Sequence, residues 1–433
     1  MSRPQTPPHV PKYGVHVSSH TINSLIEHGF PGAKLISIEP LQLYPSYNNR
    51  LYFLKVARTG DCSLFANADE LERELVLRAN GRFFGADKIQ NEVGWLRIMK
   101  EYCKDIPTPE ALAWSEDGSN VVVTAPSASE RKQFTLSIQP EDNTHGGWML
   151  LTRLPGKPLS SLELDEPSML DVATQLGSMV ASWRRTIPPQ QYVGNLQFHN
   201  SSHSANAELL VGKEEDRSFQ GFVVRGILMD DIKISTPIAS VREQYEKKLE
   251  QKMKELSESD TYTRNRAFIP RIKEFIDESL PVLDVDIPPS EASLGGYVLT
   301  HYDLSPRNVL ISGSPPKITG IVDFEFAGFF SEPEEFLNDS VGNDGDWSDA
   351  FYDAYLAELE KYGVATPRKG IRNDVWDTVH SLEKLAENIA PWWLPGPHTG
   401  DALDDQLAQA EVQVLEQLGK LKQKTRPSGS TGA

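Results

Sequence analysis

YVLTHYDLSPRNVLISGSPPKITGIVDFEFAG, residues 297–328, decides the reading of this chain. His301 to Asn308 spell His-x-Asp-Leu-x-x-x-Asn, and the apolar run Val309, Leu310, Ile311 follows at once. A Gly/Pro turn leads to a second apolar run, Ile318 to Val322, closed by Asp323. This spacing predicts two short strands joined by a turn, a hairpin that brings Asn308 and Asp323 to one end of a small sheet. Phosphoryl transfer asks for three things at such a place: a carboxylate to orient and deprotonate the attacking hydroxyl, oxygen ligands for Mg²⁺, and positive charge to position the phosphates. Asp303 suits the first task, and Asn308 and Asp323 suit the second. His301 joins Asp303 in the catalytic set as a brace for the loop. Taken singly, His301 reads as a core histidine and Asp323 as a turn cap. The ordered combination is far more specific than any of its parts.

Outward from this segment the pattern divides in two. Residues 33–40, 50–57, 75–78, 111–114, 120–124 and 147–154 read as strands, with a polar connection at 60–74. Among them, Lys88 to Cys103 carries Ile89, Val93 and Leu96 at helical spacing and is ended by Pro107 and Pro109. After Gly156 and Pro158 the period changes. Residues 168–185, 240–257 and 267–281 carry amphipathic helical stripes, and helices return near 347–362, 373–390 and 402–422. The polar stretch 198–225 between them reads as an insertion. A sheet-rich first part followed by a helix-rich second part predicts an α+β, two-lobed protein.

The bulk composition narrows the function classes. The chain has 433 residues, 39% hydrophobic and 24% charged, which supports a sizeable core and argues against global disorder. The net charge of −18 and the absence of a dense Lys/Arg run argue against nucleic acid and anionic membranes as partners. That balance is compatible with a cationic acceptor, although excess acid usually serves solubility. Two cysteines, Cys62 and Cys103, form no disulfide framework or zinc motif and fit a reducing compartment. Met1 to Val15 lacks the apolar stretch of a signal peptide, and no window approaches a membrane span of ~18 apolar residues. Cytoplasmic localisation is therefore expected.

The quoted segment resembles the catalytic region of the aminoglycoside phosphotransferase and choline kinase-like family, a branch of the protein-kinase fold. Members carry His-Gly-Asp-Leu-x-x-x-Asn followed by Ile-Asp-Trp-Glu. The matching residues here are His301-Tyr302-Asp303-Leu304 with Asn308, and Val322-Asp323-Phe324-Glu325. Tyr302 stands where members have glycine. The resemblance implies Asp303 as base and Asn308 and Asp323 as metal ligands, with ATP and Mg²⁺ as cofactors. It also implies an ion pair between Glu92, in the helix opened by Asn91-Glu92, and the basic residue of the third strand, Arg78. Lys55 is a rival for that basic role but lies one strand too early. Ser46-Tyr47-Asn48-Asn49-Arg50 resembles the phosphate-covering loop, without its usual glycine, and leaves Ser46 or Asn49 to cap phosphates. LLTRLPGKPL at 150–159 resembles the hinge, where Thr152 to Leu154 would meet the adenine, and Gly194-Asn195-Leu196 resembles a family turn.

The implied organisation is a flexible segment 1–20, an N-terminal nucleotide-binding lobe 21–154 built on an antiparallel sheet, a larger, mainly helical lobe 155–424 with the acceptor site, and a disordered tail 425–433. The implied reaction is phosphorylation of a small-molecule hydroxyl, with Glu332, Glu334, Glu335 and Asp339 available to attract a cationic acceptor. Two other readings stay open: a pseudokinase or scaffold without turnover, and an atypical protein kinase. Composition sets neither the acceptor's identity nor the oligomeric state.

Overall fold

A computed structural model describes residues 9–41, 47–65, 69–124, 131–144, 146–198, 221–287, 290, 293–337, 346–394 and 396–425. The chain forms two compact units. The first contains residues 1–164, 197–210 and 306–325; the second contains 165–196, 211–305 and 326–433.

In the first unit, helix α1 (Ser19–Gly29) precedes strands β1 (Ala33–Pro40), β2 (Asn49–Arg58) and β3 (Glu72–Asn80). Helix α2 (Ala86–Tyr102) follows, then β4 (Ala111–Ser115), β5 (Asn120–Thr124), β6 (Arg131–Thr135) and β7 (Trp148–Thr152). These seven strands form one antiparallel sheet in the order β1-β2-β3-β7-β4-β5-β6. Strand period decides its faces. Leu75, Leu77 and Ala79 of β3 join Tyr52, Leu54 and Val56 of β2 in a core that also takes Ile22, Leu25 and Ile26 of α1. Arg78 alternates to the opposite face. Residues 9–20, expected within a flexible segment, are packed instead. Val15 and Val17 are buried in that same core, Val17 donates its amide to the Tyr52 hydroxyl (2.9 Å), and the Ser18 hydroxyl caps α1.

A two-residue strand β8 (Lys157–Pro158) ends the continuous part of this unit. Next come α3 (Glu166–Thr186), the short strands β9 (Leu196–Phe198), β10 (Phe222–Val224), β11 (Ile227–Leu228) and β12 (Lys233–Ile234), and the helices α4 (Val241–Glu258) and α5 (Ile269–Glu274); all belong to the second unit except the last two residues of β9. After β13 (Val298–Thr300), the hairpin β14 (Val309–Ser312) and β15 (Lys317–Ile321) returns to the first unit, where β14 also pairs with β8. The strand β16 (Gly328–Phe330) and helices α6 (Glu334–Leu337), α7 (Asp349–Lys361), α8 (Asn373–Ile389) and α9 (Asp401–Lys424) complete the second unit. Its core is the meeting of the predicted helical stripes: Tyr245 and Leu249 of α4, Ile272, then Val379, Leu382 and Leu385 of α8 with Val414 and Leu418 of α9. The observed architecture is α+β, an antiparallel sheet unit and a mainly helical unit. Of the polar stretch 198–225, residues 199–220 lie outside the described residues. The tail beyond Thr425 does so as well.

The β4–β5 turn shows how tightly the sheet's connections are specified. Gly118 has φ +89°, and a Cβ there would lie 2.2 Å from the Thr144 hydroxyl, so only glycine fits. Its carbonyl accepts from the buried Trp148 indole (2.9 Å). Asp117 accepts from the amides of Ser119 and Asn120, both at 2.8 Å. Desolvation pulls the Asp117 carboxyl upward, and the bonds from Asn120 and Ser119 outweigh it, lowering the group to about 2. A carboxyl lowered in the folded state stabilises above its ordinary range and loses that contribution as pH falls toward 2. The exposed Asp117→Ala variant should lose about 1 kcal/mol at pH 7. Urea titrations at pH 7 and near pH 2 check this: the difference between variant and parent should shrink to less than half at the lower pH.

Candidate active site

Arg78 organises the first unit's polar face. Its β3 position pairs across to Leu51 of β2 and Met149 of β7, so its guanidinium rises from the middle of the sheet. It forms an ion pair with Glu92 of α2 and a 2.7 Å bond from Nη1 to Oδ1 of Asp323. Glu325 Oε2 lies 3.5 Å from the same nitrogen. Arg78 and Glu92 are almost fully buried. Lys55 instead pairs at the surface with Glu72, which removes it from contention for the basic role.

Asn308 and Asp323 are brought together by the β14–β15 hairpin. Val309 pairs with Ile321, and the Val322 amide donates to the Asn308 carbonyl (3.0 Å), so both side chains leave the same end of the ladder. Asp323 adopts a left-handed backbone, φ +72°. Such a conformation is strained for most residues and tolerated best by Asp and Asn.

Sequence reasoning missed Lys88. It occupies the first turn of α2, is fully buried, and sits one helical turn before Glu92 on the same face. Its Nζ lies 2.8 Å from Glu325 Oε2 and 3.0 Å from Asn49 Oδ1, over the ring of Phe84. Burial lowers the Lys88 ammonium from its ordinary value, with Glu325 opposing. Burial likewise raises Glu325, but the charges of Lys88 and Arg78 overcome it and hold that carboxyl at about 2. Two cations on one carboxylate keep the group ionised at neutral pH. The carboxylates of Glu92, Asp323 and Glu325 lie within 4.8 Å of one another, the kind of cluster that attracts a cation, yet Arg78 and Lys88 already stand among them. The ligand set expected for Mg²⁺, Asn308 and Asp323, offers hard oxygen donors at one hairpin end and fits that ion. The buried Arg78 Nε has no hydrogen-bond partner among the described residues, which fits an anionic ligand arriving beside it.

The other expected positions fall as follows. Asn49 is buried and donates to Glu325 (2.6 Å), so its amide is committed within the protein rather than free to cap phosphates. Ser46 lies outside the described residues. The Thr152 amide and hydroxyl are both bonded to Glu110, at 3.0 and 2.9 Å, while Leu154 follows in an open connection.

In the second unit, the fully buried His301 donates its amide to Glu335 (3.2 Å) and accepts from the Asp303 amide at Nδ1 (3.3 Å). That acceptance assigns the Nδ1-unprotonated tautomer and ties the His301 ring to the Asp303 backbone. The Leu304 carbonyl accepts from Trp347 (3.0 Å), fixing the other side of the loop. The turn Gly194-Asn195 secures the chain beyond. Gly194 has φ +132°, its Cβ position lies 1.7 Å from the Gly226 carbonyl, and the Asn195 side chain donates to the carbonyls of Phe326 and Ala327. Glu332, Glu334 and Glu335 are not a solvated acidic patch for an acceptor. All three are buried: Glu332 accepts from Ser290, Glu334 from Gln244, and Glu335 from Arg184. Buried acids demand such partners, and these come from distant sequence. Asp339 lies outside the described residues.

Tyr302 has φ +70°, which explains the value of glycine at this position. Its ring packs on Phe330, and its hydroxyl meets the buried Lys248 (3.5 Å). Lys248 is bound in turn to Glu383 (2.9 Å), and burial, which would lower its pKa, is outweighed by Glu334 and Glu383, which raise it. Tyr302→Gly and Tyr302→Ala lose the same contacts, but only Ala keeps the left-handed strain. The Gly variant should be the more stable of the two by about 0.5–1 kcal/mol, the reverse of their usual order. Chemical denaturation of both variants measures this directly.

A family model described as the phosphotransferase enzyme family matches residues 65–331. Among solved structures, similarity extends to a spectinomycin phosphotransferase in complex with ADP and spectinomycin, at 12% identity, TM-score 0.45, covering 94% of this chain and 99% of that one. It extends also to a ternary complex of streptomycin, ATP and an aminoglycoside phosphotransferase (12% identity, TM-score 0.44, 93% and 99%). A third is the Plasmodium vivax ethanolamine kinase (13%, 0.43, 89% and 84%). No curated protein matches the chain. No helix among the described residues is long and apolar enough to cross a membrane. The family match spans well over half of the 433 residues and contains Arg78, Glu92, Asp303, Asn308 and Asp323, so this chain belongs to the phosphotransferase enzyme family.

Proposed function

We propose that this chain transfers the terminal phosphoryl group of ATP to a hydroxyl of a small molecule. The observation that carries the reading is the buried bridge from Glu92 through Arg78 to Asp323, which ties a central-strand cation to a carboxylate beside Asn308. In this reading Asp303 orients the acceptor hydroxyl and takes its proton as the new O–P bond forms and ADP departs. Asn308 and Asp323 hold Mg²⁺, which neutralises charge on the phosphates when bound. Arg78, oriented by Glu92, positions the phosphates, and His301 holds the Asp303 backbone. The adenine meets the backbone around Leu154. Thr152 supports that connection through its two bonds to Glu110.

A cationic acceptor would draw on the chain's net charge of −18, since Glu332, Glu334 and Glu335 are spent internally. Both cysteines are free and buried, and burial raises the Cys103 thiol to about 11, which suits a reducing, cytoplasmic setting.

Calorimetry with MgATP and MgGTP tests the nucleotide assignment. The parent should bind one of them, and Asp323→Ala should weaken that binding about tenfold or more. Asp303→Asn should keep nucleotide affinity while lowering turnover of an accepted small alcohol by about 10²–10⁴-fold. Failure of the parent to bind either nucleotide would sink the proposal and leave a scaffold. Phosphopeptides formed from generic protein substrates would redirect it to protein phosphorylation.

A further inference from the structure

Glu325 has more polar partners than the chemistry above requires. Its Oε1 accepts from Asn48 (3.0 Å), and its Oε2 accepts from Asn49 (2.6 Å) and pairs with Lys88 (2.8 Å). Its backbone carbonyl accepts from the side chain of Asn91 (2.9 Å). Asn49, Lys88, Asn91 and Glu325 are all buried. The five residues come from three places in the first unit: the turn that enters β2, the first two turns of α2, and the chain two residues beyond Asp323.

Two consecutive side-chain amides thus grip both oxygens of one carboxylate, and a buried ammonium joins the same oxygen. The turn carrying Asn48 and Asn49 follows β1 and has no glycine at 46–50. A turn of this kind ordinarily reaches a phosphate through glycine-permitted backbone geometry. Here the backbone is fixed from the side-chain end instead. Glu325 lies two residues from Asp323, whose backbone is left-handed, so its bonds act on the chain that leaves that turn.

We propose that Glu325, neutralised by Lys88, is a positioning residue that locks the turn entering β2 to the Asp323 turn, so that the two move as one unit when nucleotide binds. The functional half of this inference rests on the nucleotide reading given above; the mechanical half does not. Lys88 is the counter-charge that makes the lock tolerable in a buried place. Asn49 is the loop's side of it, bonded to both the carboxylate and the ammonium.

Hydrogen–deuterium exchange on the full, ligand-free chain tests the mechanical half with Glu325→Gln and the milder Asn49→Ala. Glu325→Gln should accelerate amide exchange at 47–50 and at 322–325 together, by about tenfold or more, with β4, β5 and β7 unchanged. Acceleration at 322–325 with 47–50 at the parent rate would overturn the lock. Asn49→Ala removes a single amide and should still raise exchange in both segments; a change confined to 47–50 would overturn it as well. Calorimetry with MgATP and with adenosine then separates positioning from mere support. Lys88→Met should weaken MgATP about tenfold or more and leave adenosine within about twofold, and Lys88→Arg should recover most of the loss. Equal losses for the two ligands would reduce the cluster to a structural role and reject the positioning claim. If the parent binds neither ligand, the nucleotide reading fails, and the exchange measurement alone decides whether the lock exists.

Discussion

A guanidinium placed in the middle of a sheet must be answered by carboxylates, and Arg78 is answered from two directions. Desolvating an arginine is expensive, and removing Arg78 itself would leave its carboxylates uncompensated in a buried place, at a typical cost of ~3–5 kcal/mol. The first unit is therefore constrained before any ligand arrives. Helix α2 must dock with Glu92 facing β3, and the chain after β15 must return with Asp323 within bonding distance. Lys88 and Glu325 extend the same demand by one residue on each side. The cluster holds one more carboxylate than cations, so it favours an additional positive charge without needing one to stay folded.

The loop at Asp303 obeys a different rule. Three hydrogen bonds fix its backbone. Glu335 accepts the His301 amide, His301 accepts the Asp303 amide, and Trp347 donates to the Leu304 carbonyl. Backbone bonds of this kind set the point from which a side chain starts. Two parts of one continuous segment are thus fixed differently: Arg78 bonds the Asp323 carboxylate, and His301 accepts the Asp303 amide.

The sequence made the linear features of this design readable and hid the rest. Asp303, Asn308 and Asp323 stand in one 32-residue stretch whose strand–turn–strand pattern predicts the observed hairpin. The long amphipathic helices and the central strands were equally legible, because their periods are strong. Lys88 was not, since a lysine at the start of a helix reads as surface, and its partner Glu325 lies 237 residues away in sequence. Glu332, Glu334 and Glu335 read as solvated acids for the same reason: Ser290, Gln244 and Arg184 enter from separate elements. Helix α1 escaped because its stripe is only Ile22, Leu25 and Ile26. β6 escaped because RKQFT at the sheet edge lacks an apolar alternation.

Two non-glycine residues of this segment hold left-handed backbones, Tyr302 and Asp323. Each conformation costs on the order of 1 kcal/mol, which a protein stabilised by a few such quantities keeps only where the surroundings over-determine it. The surroundings do so by different means. Arg78 seizes the Asp323 carboxylate, while Phe330 and the Lys248–Glu383 pair hold the Tyr302 ring and hydroxyl. Glycine at 302 would relax the backbone at no cost in φ but would leave the hydroxyl-binding face of Lys248 without its phenol. The tyrosine therefore trades local ease for a side chain fixed beside Asp303. In this chain, charge pairing that would be a poor way to gain stability is used to hold two strained residues in register with the carboxylates they carry or adjoin.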